Sequence, residues 1–255
     1  MPRLALGVEY HGGAFHGWQR QPHCVTVQGA LEQALSAVAG EAIAVVAAGR
    51  TDRGVHARGQ VVHFDTAVIR PMQAWVRGGN AHLPATVAVL WAQGVSDEFH
   101  ARFDARSRTY RYRLLSHPVR PAYAHGVVGW THRVLDLDAM KAGARLLLGT
   151  HDFSAFRAAE CQARTPVKTL LRLDINSVGE EIHFEFQADA FLQHMVRNLV
   201  GALLRVGCGE ERSDWLAALL EARDRTQSAP TFAADGLCLT AVEYDERWNF
   251  PAGRS

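Results

Sequence analysis

The sequence predicts an α+β fold in two similar halves, and three observations lead there. Short apolar stretches, alternating or continuous, recur along the 255 residues and have the length of strands. Between them lie segments whose apolar residues return every three or four positions, as on one face of a helix. The order strand, helix, strand, strand, helix, strand appears once before residue 104 and again after it, which is the ferredoxin-like signature. A mainly antiparallel sheet flanked by helices is the expected architecture, with the halves at 1–104 and 105–255.

The elements follow in chain order. Residues 4–10 (LALGVEY) form the first strand, followed by a loop rich in glycine and aromatics, His11 to Gln19. Ala30, Leu31, Ala34, Leu35 and Val38 share one helix face, and Gly40 closes that helix. Strands at 43–47 and 60–64 flank the segment 48–59. Pro71 opens a short helix, and 87–92 is a buried strand. The second half repeats the scheme with a strand at 110–115, a helix at 137–148 and strands at 170–177 and 182–188. Helices at 195–206 and 214–223 and a last strand at 237–244 complete it.

Composition narrows the function classes. No apolar run approaches the ~18 residues that span a membrane, and the N-terminus begins with strand-like sequence where a signal peptide has a longer apolar stretch. Cys24, Cys161, Cys208 and Cys238 are scattered with no C-x-x-C pair, which points to free thiols in a reducing cytoplasm. The thirteen histidines include no H-x-H or H-x-x-x-H pair, so no metal site is expected. The formal net charge is only +1, yet residues 1–128 carry 13 basic and 8 acidic side chains while 129–255 carry 14 and 18. Positive charge therefore gathers in the first half, and fields act locally.

Three segments carry candidate chemistry. In Gly49-Arg50-Thr51-Asp52-Arg53-Gly54-Val55-His56-Ala57-Arg58-Gly59, three arginines and a histidine surround a single carboxylate. Nearby cations keep Asp52 ionised, which suits a nucleophile or base more than a general acid. A turn with solvated arginines is the competing reading. In Arg102 to Arg113, Tyr110 and Tyr112 share one strand face while Arg111 and Arg113 share the other. Aromatics interleaved with arginines suit RNA, although tyrosines in a core with arginines in solvent fit equally. In the helix at 195–206, Arg197 occupies the first turn, where the macrodipole disfavours a cation. Either a nearby anion or plain solvent exposure accounts for it.

Taken together these segments resemble the TruA-type tRNA pseudouridine synthases. The matching pieces are Tyr10…Gly17-Trp18-Gln19, Thr26-Val27-Gln28, Gly49-Arg50-Thr51-Asp52 with Gly54-Val55-His56, and Phe99-His100-Ala101-Arg102-Phe103. Arg108-Thr109-Tyr110-Arg111-Tyr112, His151-Asp152-Phe153, His194-Met195-Val196-Arg197-Asn198 and Gly236-Leu237 follow in the family's order. The resemblance implies two RRM-like halves around a central active-site cleft, a homodimer, and no metal or organic cofactor. It implies isomerisation of uridine to pseudouridine at positions 38, 39 and 40 of the tRNA anticodon stem-loop. Carried over by motif, Asp52 is the catalytic carboxylate, Arg50 helps flip and replace the base, Tyr110 stacks on it and Arg197 pairs with Asp52. Gln19, Arg53, His56, Arg58, Arg106 and Arg108 are the expected RNA contacts. Two positions depart from the pattern: Arg53 stands where alanine is common, and Gln193 where an aromatic or histidine is frequent. Arg53 is either an extra phosphate contact or, turned inward, a cation that lowers the basicity of Asp52. A non-catalytic RNA-binding module and a metal-dependent nuclease are the alternatives; the first leaves the Arg50–Asp52 motif unexplained and the second lacks clustered ligands.

Overall fold

A computed structural model describes residues 1–251. The fold is α+β, and the chain forms two compact units, Met1–Arg106 with the described residues from Cys238 on, and Ser107–Leu237. The expected division at 104 gave the tail to the second half, whereas its contacts place it with the first.

The first unit runs β1 (Arg3–Tyr10), α1 (Val27–Ala39), β2 (Val46–Ala47), β3 (His56–Asp65), α2 (Met72–His82) and β4 (Val87–Val95). Strand β1 lies between β4 and β3, antiparallel to both, and β2 pairs antiparallel with β3. This is the order and direction that the ferredoxin-like pattern anticipates. Helix α1 begins where Thr26 Oγ1 accepts the Gly29 N–H and ends at Gly40, whose φ of +75° suits glycine. The β1 side chains of Leu4, Leu6 and Val8 are buried, as are Leu31 and Leu35 of α1. Trp75 of α2 meets Phe64 of β3 edge-on at 5.2 Å. On the other sheet face Ala5 and Val61 pack with Phe99, Ala101 and Trp248. Strands buried on both faces read as continuous apolar runs.

The last strand, β10 (Leu237–Glu243), explains why the tail belongs here: Cys238 and Leu239 pair in parallel with His56 and Ala57 of β3. That long-range pairing also extends β3 back to His56, four residues before its expected start.

The second unit contains β5 (Ser107–Ser116), β6 (Gly129–Thr131), α3 (Leu137–Leu146), β7 (Gly149–Asp152), β8 (Val167–Val178), β9 (Glu181–Ala188), α4 (Met195–Gly207) and α5 (Trp215–Ala222). Its sheet runs β5-β9-β8-β7, all antiparallel, with β6 added parallel to β5. Helix α4 buries most of its surface, including Asn198, whose amide donates to the Phe156 carbonyl at 2.8 Å. Its Oδ1 accepts from Arg225 and Thr231. A buried polar side chain so satisfied fixes where the helix sits. Among the described residues no helix is long and apolar enough to cross a membrane.

Candidate active site

The Asp52 loop joins β2 to β3, and the glycine-aromatic loop after β1 holds it. The Trp18 N–H donates to the Thr51 carbonyl at 2.9 Å, and the Gly12 N–H donates to His56 Nδ1 at 3.0 Å. Gly17 has φ of +90°, and a Cβ there would stand 3.0 Å from the Thr51 carbonyl oxygen and 3.1 Å from the Arg53 nitrogen. A Cβ on Gly12 would run into the Val55 carbonyl. Both glycines are therefore required for the two loops to touch. Within the Asp52 loop the Val55 N–H donates to the Asp52 carbonyl at 3.1 Å, and Gly54 at φ of +83° completes a tight turn.

A buried polar chain runs beneath this turn. The hydroxyls of Tyr10 and Thr51 share a hydrogen bond of 2.9 Å. Gln60 Nε2 donates to the Gly49 carbonyl at 2.7 Å and to the Tyr10 hydroxyl at 3.3 Å. Burial raises the Tyr10 hydroxyl above its ordinary pKa, so the phenol stays neutral. Gln60 thus holds the backbone before Arg50, and Tyr10 holds the Thr51 side chain after it. The ring of Trp18 lies 5.9 Å from that of Tyr10.

Asp52 is half-buried on this scaffold, and Arg50, Arg53 and Arg58 are exposed around it. A half-buried carboxylate on hydrogen-bonded backbone among exposed cations has the form of a site for an anionic substrate. Gln19 is half-buried in the supporting loop. His56, expected as an RNA contact, is instead buried: its Nδ1 takes the Gly12 N–H and its ring lies 4.5 Å from that of His11.

Of the other expected residues, Arg106 belongs to the first unit and Tyr110, Arg108 and Arg197 to the second. Tyr110 lies on β5 opposite Phe186 of β9, is 8% exposed, and meets Phe191 edge-on at 5.1 Å. Tyr112, two residues on, is fully buried, and its hydroxyl donates to the Ala233 carbonyl at 3.0 Å, so it belongs to the core. Arg111 and Arg113, on the opposite strand face, pair with Glu185 and Glu181 of β9. Arg106 is exposed and bonded to Asp245. Arg108, expected as an RNA contact, is 9% exposed, and its guanidinium donates to the Asp189 carbonyl at 2.8 Å. The Asp189 carbonyl meets part of the demand of the guanidinium.

Arg197 is half-buried in the first turn of α4, a turn without acidic residues. Its Nε donates to the Phe232 carbonyl at 2.8 Å, which fixes the plane of the guanidinium. The preceding His194 has left-handed backbone at φ of +63°, a conformation costly for a non-glycine residue. Its carbonyl accepts the Asn198 N–H at 2.9 Å, so the strained residue begins the helix that carries Arg197. Among the described residues no group of three or more His, Cys, Asp or Glu side chains is placed to hold a metal ion.

The sequence motifs include Tyr10, Gly17 and Trp18 without a task for them, and Gly12 and Gln60 stand in the same segments with no role of their own. The signal for the first three was the density of glycine and aromatics at 11–19; Gln60 carried none, since it reads as an ordinary strand residue.

Comparison with known proteins bears on the whole arrangement. A family model described as tRNA pseudouridine synthase matches residues 7–104 and 144–245. The tRNA pseudouridine synthase A of Thiobacillus denitrificans is 58% identical over 251 residues, which are 98% of this chain and 96% of that protein. The protein of the same name from Nitrosomonas europaea is 55% identical over 249 residues, covering 98% and 92%. That from Chromobacterium violaceum is 57% identical over 251 residues, covering 98% and 96%. With a match of this extent across both units, the chain belongs to the tRNA pseudouridine synthase family.

Proposed function

We propose that the chain isomerises uridine to pseudouridine at positions 38, 39 and 40 of the tRNA anticodon stem-loop, with Asp52 as the catalytic carboxylate. The reaction breaks the C1′–N1 bond, joins C1′ to C5, and moves a proton from C5 to N1 by way of solvent. It is redox-neutral, and the proposal includes no metal or organic cofactor. The observation that carries the reading is the Asp52 turn, held by the Trp18 N–H, the Tyr10–Thr51 hydrogen bond and Gln60 while arginines stand exposed around it. Preorganised charge on rigid backbone is what a substrate-breaking step needs.

The base must leave its stack first, at a cost of a few kcal/mol. Arg50, exposed beside the turn, fills the place it leaves, and Tyr110 provides a stacking face worth about 1–3 kcal/mol. Arg197, its guanidinium plane fixed by Phe232, serves as the counter-cation of Asp52. Gln19, Arg53, Arg58 and Arg106 contact the RNA backbone, whereas the burial of His56 and Arg108 suits support of the scaffold. The working protein is proposed as a cytoplasmic homodimer. Mapping pseudouridine in tRNA from cells lacking this chain tests the reading: uridine at positions 38–40, restored to pseudouridine by the wild-type chain and not by Asp52→Ala, supports it. Unchanged modification at all three positions contradicts it.

A further inference from the structure

The turn that follows β4 is tied down by side chains from several elements. Arg3 Nη1 donates to the Asp97 and Phe99 carbonyls at 2.6 and 2.8 Å, and the Tyr244 hydroxyl donates to the Ala101 carbonyl at 2.6 Å. His63 Nδ1 accepts the Ala101 N–H at 3.1 Å, and the Asp104 carboxylate accepts the His100 N–H at 2.7 Å. His100 Nδ1 accepts the N–H groups of both Arg102 and Phe103 at 3.2 Å. Burial holds His63 and His100 below their ordinary pKa, which keeps each imidazole neutral and its Nδ1 an acceptor. Beneath the turn Phe99 is fully buried against Tyr244, Trp248 and Phe250.

Core packing accounts for Phe99 but not for Phe103. Phe103 is 75% exposed, although its N–H is bonded to His100 Nδ1 within a turn whose other residues are tied down. One face of its ring stacks on His100, with centroids 4.2 Å apart and planes 24° from parallel. The Arg102 guanidinium stands 5.7 Å from its centroid. The other exposed residues of the turn, Ser96, Asp97, Glu98 and Arg102, are polar or charged. A protein partner seeks contiguous apolar surface, and here a single flat ring stands in a polar surround. That shape fits one base.

We propose that Phe103, backed by the His100 ring and flanked by Arg102, is a stacking platform for an unpaired base of the tRNA substrate. The proposal rests on the substrate class assigned above. The stack on His100 already gives the ring a defined orientation, which lowers the entropy that ordering it against a base costs. An aromatic face stacks on a base with about 1–3 kcal/mol, or roughly 5- to 150-fold in affinity. Arg102 adds a cation for the adjoining phosphate.

The test compares Phe103→Ala, Phe103→Leu and Phe103→Trp with wild type in binding and turnover of an unmodified tRNA transcript. For Phe103→Ala the expected result is a rise of at least about fivefold in Kd and KM, with unchanged kcat at saturation and an unchanged urea midpoint. Trp restores the affinity and Leu does not, and the salt dependence of binding keeps its slope because no ion pair is lost. Wild-type affinity in Phe103→Ala overturns the proposal, as does equal rescue by Leu and Trp. So does loss of self-association with unchanged RNA affinity, which assigns the surface to a second copy of the chain. A wild-type chain that binds the transcript but leaves its uridines unaltered overturns the proposed isomerisation instead, and the binding comparison still decides the role of Phe103.

Discussion

Replacing Tyr10 by Phe deletes one oxygen and leaves the ring that packs near Trp18 in place. It removes the 2.9 Å hydrogen bond to Thr51 and the 3.3 Å bond from Gln60, while Gln60 keeps its bond to the Gly49 carbonyl. A buried neutral hydrogen bond contributes about 1 kcal/mol net, and a buried hydroxyl left unpaired costs about 1–3 kcal/mol. Thr51 is buried, so the variant loses about 2–3 kcal/mol of stability. Thr51 is also joined directly to Asp52, and a shift of ~1 Å at a reacting group costs on the order of a hundredfold in rate. We therefore expect kcat to fall about 10- to 100-fold with KM for tRNA nearly unchanged. Thr51→Val reproduces the effect, and the double variant is no worse than either single one, because both break the same bond. Tritium release from C5-labelled tRNA beside urea denaturation measures the two quantities. Lost stability with wild-type kcat refutes the reasoning, since the chain then holds the fold and not the carboxylate.

The other predictions concern backbone, charge and pH. Gly17→Ala places a Cβ at φ of +90° against the Thr51 carbonyl, and it lowers both the stability measured by urea (by about 1 kcal/mol or more) and the turnover rate; normal turnover contradicts the role given to that loop contact. Arg53→Ala and Arg58→Ala each reduce the salt slope of tRNA binding by about one, with unchanged melting. Arg108→Ala does the reverse, losing about 1 kcal/mol of stability with the hydrogen bond to the Asp189 carbonyl, and unaltered melting sinks that assignment. His63 titrates at about 4 in the folded chain against 6.5 ordinarily, the largest cause being burial. The unfolded chain therefore takes up the proton first as pH falls from about 6.5 towards about 4. Stability is retained above that window and declines within it by up to about 1.4 kcal/mol per pH unit. Urea midpoints at pH 7 and pH 5 for wild type and His63→Asn measure this, and equal slopes for the two chains count against it.

Local pattern carried most of the fold because most of its determinants are local. The stripe on α1 and the αL position of Gly40 appear where the periodicity and the glycine put them. The segment 43–47 reads as a strand, yet only Val46 and Ala47 join the ladder. Ile43 and Val45 instead donate their N–H groups to Ser36 Oγ and a Glu32 carboxylate oxygen of α1, a capture that no strand pattern signals. The early start of β3 rests on pairing of Ala57 with Tyr10 of β1 and of His56 and Ala57 with β10, some 180 residues away in sequence, and the short strands β6 and β7 exist through pairing partners. In the site, Asp52 and its arginines were legible as a motif because charge and glycine concentrate there. The burial of His56 and Arg108 was not, since a buried arginine bonded to carbonyls has the same local sequence as one facing phosphate. Arg197 shows what placement adds: its first-turn position is unfavourable on paper, and the Phe232 carbonyl meets part of its demand.

The account stands on Asp52. Tritium release from a C5-labelled anticodon stem-loop transcript, measured for wild type and Asp52→Asn beside binding of the same RNA, tests it most directly. Asparagine keeps the size of the side chain and removes its charge and basicity. The account predicts full release by wild type, none by Asp52→Asn, and similar affinity of both for the RNA. Release by Asp52→Asn at the wild-type rate contradicts it.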